Sequence, residues 1–190
     1  MNTKKFRIVF LDIDGVLCTK DSIEEAISDW CGGLNTDDDN WVKEYKKIAA
    51  NIGFYPSLDM FHWPFDRLAL KNIHHLARHP DVRFVISSTW RDGRTIEEIT
   101  EMFIMKGLNV RIIDKTREGH RGSYTDHRGF EIRDCLDANK DIVESYVILD
   151  DNTWDIVRMH PNNTVTTRDD VGFDKDALSK AKDILFKDTV

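Results

Sequence analysis

Phe10-Leu11-Asp12-Ile13-Asp14-Gly15-Val16-Leu17 is the stretch on which the fold turns. It closes a short apolar run, Arg7–Leu11, with two aspartates one residue apart and a glycine directly after them. An apolar run of that length, bounded so sharply, reads as a strand buried on both faces rather than an alternating half-exposed one. Gly15 permits the tight backbone turn that a chain leaving such a strand needs.

Working outward, Val82–Ile86, Val110–Ile113, Tyr146–Leu149 and Thr164–Thr167 are further runs of the same kind. Helical patterns separate them. Phe65, Leu68, Ala69, Ile73, Leu76 and Ala77 share one face; so do Ile96, Ile99 and Phe103, and then Ala177, Leu178, Ala181, Ile184 and Leu185. Strand alternating with helix predicts an α/β chain, a Rossmann-like three-layer sandwich around a parallel sheet, folded as a single domain over residues 1–190. The exception is about 18–63, where the patterns Ser22–Trp30 and Trp41–Ile52 intervene before the next strand. That stretch is expected to be a small helical cap inserted after the first strand. The Asp37–Asp39 run inside it lacks the Gly and distal Glu of a calcium loop and reads as a solvated turn.

In an open parallel sheet, ligands bind outside the carboxyl ends of the strands. Polar residues follow three of these runs: Asp12-Ile13-Asp14-Gly15, Ser87-Ser88-Thr89-Trp90-Arg91 and Asp150-Asp151-Asn152. Any one acidic residue there is as well explained by a cap or a turn. In register, Asp12, Asp14, Asp150 and Asp151 bring up to four carboxylates into one crevice, where they repel unless a divalent cation offsets them. Oxygen ligands of this kind suit magnesium.

These motifs, in this order, resemble those of the haloacid dehalogenase-like superfamily: DxDG after an apolar strand, then Val85-Ile86-Ser87-Ser88, then Ile148-Leu149-Asp150-Asp151. The match spans residues 6–152. Ser88-Thr89-Trp90-Arg91, His127–Ile132 and the late acidic pair are similar to a narrower branch related to nucleic-acid repair phosphatases. The resemblance implies that Asp12 attacks phosphorus and becomes an aspartyl-phosphate, while Asp14 protonates the leaving oxygen and later takes a proton from water. It implies magnesium held by Asp12, the Asp14 carbonyl and Asp150, with Asp151 bound directly or through water. Ser88, with Ser87 as the alternative, would donate to a phosphoryl oxygen. The motif's cation would be Arg128, at the start of a helix near Phe130, or Lys115. Gly15, Thr89, Trp90, Arg91 and Lys115 are the candidate substrate-binding residues.

Composition excludes a disordered or fibrous chain and by itself says nothing of function. The chain is 41% hydrophobic and 32% charged, ordinary for a globular protein. A net charge of -7 argues against a nucleic-acid packaging protein, so any contact with a polyanion needs a local basic patch. Within 115–128, Lys115, Arg117, Arg121 and Arg128 outnumber Glu118 and Asp126, and Tyr124, Trp90 and Trp154 are candidate stacking surfaces beside them. The substrate is thus expected to be a phosphorylated small molecule or a nucleic-acid end, such as a polynucleotide 3′-phosphate. Cys18, Cys31 and Cys135 form no close pair, which fits free thiols in the cytoplasm, and no apolar run is long enough for a membrane span. No protein partner is inferred.

A receiver-like signalling domain accepts phosphate on aspartate too, but its acidic pair follows the first strand and its acceptor the third. The opposite order here favours a hydrolase. A binding module that has lost its chemistry is disfavoured because every acidic position is filled.

Overall fold

The computed structural model describes residues 4–30, 63–118 and 127–187. Its strands are β1 (Phe6–Leu11), β2 (Val82–Ile86), β3 (Ile112–Lys115), β4 (Val143–Asp150) and β5 (Thr164–Thr166), all parallel in the order β3-β2-β1-β4-β5. The described helices are α1 (Lys20–Trp30), α2 (Arg67–Ala77), α3 (Ile96–Met105), α4 (Arg128–Ala138), the single turn α5 (Ile156–Met159) and α6 (Lys175–Leu185). The class is α/β, as expected.

Side chains alternate across the sheet, and that alternation divides the core. Val9, Leu11, Phe84, Ile86, Val147 and Leu149 pack on one face with Ile73 and Leu76 of α2, Ile99 and Phe103 of α3, and Ala181 and Leu185 of α6. Ile8, Phe10, Val85 and Ile148 pack on the other, with Ile132 of α4 and Ile156 of α5. Each strand residue therefore sends its neighbour to the opposite layer, and the sandwich has three layers. Side-chain caps start several helices where the chain turns in from a loop. Asp66 accepts from Ala69 N at 2.7 Å and Asp174 from Ala177 N at 2.8 Å, and Thr95 with Glu98 forms a capping box.

Two strands differ from the expectation by more than one residue. β3 begins at Ile112 rather than Val110, because Ile112 N already donates to Val110 O at 3.2 Å in a tight turn. As an edge strand it pairs only with β2 and leaves Ile113 40% exposed, so the apolar run does not mark its extent. β4 starts earlier, at Val143, since Glu144 and Ser145 are strand residues whose side chains bond Arg7 and Leu185 O.

Leu17 O accepts from Asp66 N at 2.7 Å, so the chain that leaves the first-motif loop returns beside it. The remainder of the expected cap, Trp41 and Tyr45 included, lies outside the described residues, as do Cys31, Arg121 and Tyr124.

What joins α4 to the strand ends is a buried cation. Arg91 is 4% exposed; its guanidinium donates to Ser88 O (2.6 Å), Thr116 O (3.0 Å), Arg117 O (2.9 Å) and Glu131 Oε2 (2.8 Å). Four of its five N–H groups are bonded to protein atoms and the side chain is buried, whereas the sequence places Arg91 among the candidate substrate-binding residues. Glu131 is equally buried; its carboxyl is raised by burial against the opposing pull of Arg91. Removing one member of such a pair leaves an uncompensated charge, so Arg91→Met is expected to cost about 3–5 kcal/mol. Urea unfolding measures it, and a loss under about 1 kcal/mol, within the range of an exposed pair, would contradict the structural role.

Candidate active site

The strand order reverses direction at β1: β2 and β3 lie on one side of it, β4 and β5 on the other. Such a switch point opens a crevice at the carboxyl ends of the strands. Asp12 follows β1 and Asp150 ends β4, and because Leu11 pairs with Leu149 these two carboxylates stand at the same level across that crevice. By alternation both continue the layer of Phe10 and Ile148, which is the α4 side. There Arg128, the first residue of α4, donates from Nη1 to Asp12 Oδ2 at 2.9 Å and to Asp150 Oδ2 at 2.6 Å.

Asp151 completes a cluster. One carboxylate oxygen from each of Asp12, Asp150 and Asp151 lies within 4.8 Å of the others. The reason Asp151 comes so close is Gly15, which has φ +66° and would place a Cβ 2.4 Å from Asp151 Cγ. Glycine is required there twice over, by conformation and by space. The Gly15 carbonyl is fixed by Thr167 Oγ1 at 2.8 Å, and the turn closes through Gly15 N to Cys18 O, also 2.8 Å.

Arg128 is itself held by its neighbour. Gly129 N donates to Asp155 Oδ2 at 3.0 Å, and Gly129 O lies 3.0 Å from His160 Nε2. A carbonyl only accepts, so Nε2 carries the proton, and Nδ1 accepts from Tyr146 O–H at 3.0 Å. A Cβ on Gly129 would meet Met159 Sδ at 3.0 Å, which is how closely α4 and α5 approach. Sequence reading missed Asp155, His160 and Tyr146. Asp155 and His160 grip Gly129, a residue 26 and 31 positions away in the chain, and no local motif marks them.

One guanidinium among four carboxylates leaves the crevice strongly anionic. Burial and then Asp12 push the Asp150 carboxyl up to about 7. Burial and then Asp12 also raise Asp14 and Asp151. Burial alone would weaken the hold of Arg128 on its proton, but Asp12 and Asp150 outweigh it and the net direction is upward. Three carboxylates converging within 4.8 Å of one another are the donor set of a hard divalent cation, so the residues present fit such an ion.

Thr89 is exposed at the start of a 3-10 turn, Thr89–Arg91. Trp90 is 1% exposed and so offers no face to a base; its indole N–H reaches the Asp14 carboxylate instead. Lys115 Nζ is spent on Arg94 O (2.6 Å), Glu118 (2.8 Å) and Arg91 O (3.3 Å), and it is Arg128 that meets Asp12. Ser88 Oγ accepts from Trp90 N at 3.4 Å, starting the 3-10 turn. Ser87 stands beside Asp12 in the register, its N donating to Leu11 O, and continues the layer of Val85. Among the described residues, Ser87 Oγ and Thr116 Oγ1 are the buried side-chain atoms without a hydrogen-bond partner. The Cys18 and Cys135 thiols are raised by burial to about 12 and about 11, which makes them poor nucleophiles.

With no divalent ion bound, the folded chain keeps a proton on Asp150 that the unfolded chain, titrating near 3.8, releases. The stability from that proton is fully present below the unfolded value and is lost as pH rises through about 7. Asp150→Asn cannot ionise. In chelator, the melting temperature of the variant minus that of wild type should therefore increase from about pH 5.5 to about pH 8, and magnesium should stabilise wild type alone. A difference that is flat with pH and untouched by magnesium would count against the cluster as a metal site.

Comparison with known proteins adds to this geometry. No curated protein matches the chain. A haloacid dehalogenase-like family hydrolase from Streptococcus pneumoniae shares 14% identity at a TM-score of 0.48, over 94% of this chain and 91% of that one. The family model described as the HAD domain in Swiss Army Knife RNA repair proteins matches residues 8–178, from inside β1 to inside α6. That range contains the whole carboxylate cluster, Arg128 and the Trp90–Asp14 contact, and the chain accordingly belongs to this family of HAD domains.

Proposed function

We propose that the chain is a magnesium-dependent phosphomonoesterase that works through an aspartyl-phosphate on Asp12 and acts on the phosphorylated end of an RNA. The observation that carries this reading is the placement of Arg128 across Asp12 and Asp150, with Asp151 closing the cluster. A nucleophilic carboxylate, a cation for the phosphoryl oxygens and a divalent-metal donor set then share one crevice mouth. Asp12 Oδ attacks phosphorus, the bond to the leaving oxygen breaks, and the proton of Asp14 goes to that oxygen. Water then attacks the phosphoaspartate, gives its proton to Asp14 and releases phosphate, restoring Asp12. Asp12, Asp150, Asp151 and the Asp14 carbonyl would hold magnesium, which when bound offsets their charge and polarises the phosphoryl group. The raised Asp14 carboxyl suits a group that must be an acid in one step and a base in the next.

For the hydroxyl that bonds a phosphoryl oxygen, the register favours Ser87 over Ser88, since it is level with Asp12 and its Oγ is unsatisfied. The RNA-end substrate rests on the family and on one side chain. Trp154 is 59% exposed on the loop after Asp150-Asp151, edge-on to His127 at 5.0 Å, and His127 precedes Arg128. An exposed aromatic held at that rim is suited to stack a terminal base.

Asp12→Asn is expected to lower kcat by about three orders of magnitude or more while circular dichroism stays unchanged, because the amide is nearly isosteric but not nucleophilic. Ser87→Ala should lower kcat/KM by about tenfold or more, with a smaller loss in Ser88→Ala. The substrate is tested with a 3′-phosphorylated oligoribonucleotide, a 5′-phosphorylated one, a mononucleotide and a sugar phosphate, each with magnesium and with chelator. A preference for the sugar phosphate would remove the RNA assignment, and full turnover in chelator would remove the metal.

A further inference from the structure

Asp14 sits at an exposed point of the crevice, where a free carboxyl rotates among orientations of which few aim at a leaving oxygen. One contact in this structure restricts it. Trp90 Nε1 lies 3.1 Å from Asp14 Oδ1 and 3.0 Å from Oδ2, so its N–H is shared between the two oxygens and fixes the plane of the carboxyl. We propose that Trp90 is the positioning residue for the acid/base step, holding Asp14 in line with the leaving oxygen; this rests on Asp14 being the acid/base.

The indole is well placed for this because it cannot move. Its ring packs against Phe65 at 6.2 Å, with the Lys106 ammonium over it at 5.5 Å. Its backbone belongs to a 3-10 turn that starts from Ser88 Oγ and ends in Arg91, whose guanidinium makes four hydrogen bonds to protein atoms. The turn is thereby tied to the ends of β2 and β3, the sheet that also positions Asp12.

The chemistry of the donor matters as much as its rigidity. An indole N–H donates and does not accept, so it never competes for the proton that Asp14 transfers, as a histidine or a tyrosine would. With Asp14 protonated, the N–H bonds the carbonyl oxygen and leaves the O–H free to turn toward the leaving group. With Asp14 ionised, the same N–H steadies the carboxylate as it accepts a proton from water. Misplacing a reacting group by about 1 Å lowers rate by about a hundredfold, so a tether at this point has a kinetic consequence.

General-acid help matters most for poor leaving groups, and that separates positioning from packing. A set of aryl phosphates of graded leaving-group acidity, from 4-nitrophenyl to 4-methoxyphenyl, extended by an alkyl phosphate, gives kcat/KM as a function of the leaving group. The proteins compared are wild type, Trp90→Phe, the chain with the isosteric β-benzothienylalanine at position 90, which lacks only the N–H, and Asp14→Asn. Both changes at Trp90 should steepen the dependence, with a loss on the alkyl ester about tenfold larger than the loss on the 4-nitrophenyl ester. Parallel lines, meaning an equal loss on all substrates or none, for the isosteric replacement overturn the proposal. Asp14→Asn distinguishes the two failures. If its line is steep and the position-90 lines are not, only the role of Trp90 falls; if its line also runs parallel to wild type, the acid/base role of Asp14 falls with it.

Discussion

Arg128 spans the gap between β1 and β4, donating to Asp12 and Asp150 at the same time, and the rest of the site is arranged around that bridge. Two carboxylates brought level by strand pairing repel each other, and one guanidinium between them relieves part of that repulsion. The cation must be delivered from the α4 layer, because alternation points both aspartates that way. The protein accordingly invests in the start of α4: Asp155 and His160 grip the Gly129 peptide, and Glu131, one turn on, is tied through Arg91 to the ends of β2 and β3. Position, not affinity, is what this scaffold supplies.

The same logic explains why polar groups are buried here at all. Arg91 and Glu131 would be expendable as a stabilising pair, since apolar residues of similar volume do as well in many interiors. Their value is geometric, because the guanidinium joins the carbonyls of Ser88, Thr116 and Arg117 to α4. It thereby sets the height of Ser87 and Trp90 relative to Asp12. Gly15 serves a parallel purpose on the other side, by leaving room for Asp151 beside the first-motif turn.

Much of this was legible in the chain because parallel strands buried on both faces announce themselves as apolar runs, and their carboxyl ends then carry the chemistry. Asp12, Asp150 and Asp151 come together at the strand ends, as that rule expects, and Arg128 reaches two of them from the start of α4. Trp90 and Arg91 are both buried, since a Trp-Arg pair after a strand has no periodicity to show which way it faces. Counting alternate residues from Val85 puts Ser87, not Ser88, in the layer of Asp12, a placement that was readable from the chain. Asp155, His160 and Tyr146 were not legible, because Asp155 and His160 bond the N–H and the C=O of Gly129 and Tyr146 bonds the His160 ring, contacts made only by the packing of α4 on α5. β3 was misplaced by two residues because an edge strand is only half buried, and its apolar run began in the turn before it.

An aspartyl-phosphate mechanism requires a covalent bond to Asp12. Acid quenching during turnover of a 3′-phosphorylated oligoribonucleotide, then borohydride reduction and peptide mass spectrometry, reads that bond directly, since an aspartyl-phosphate is reduced to homoserine. The account predicts homoserine at position 12 and unmodified aspartate at positions 14, 150 and 151. Steady turnover with Asp12 unreduced, or with the reduced residue elsewhere, would contradict it.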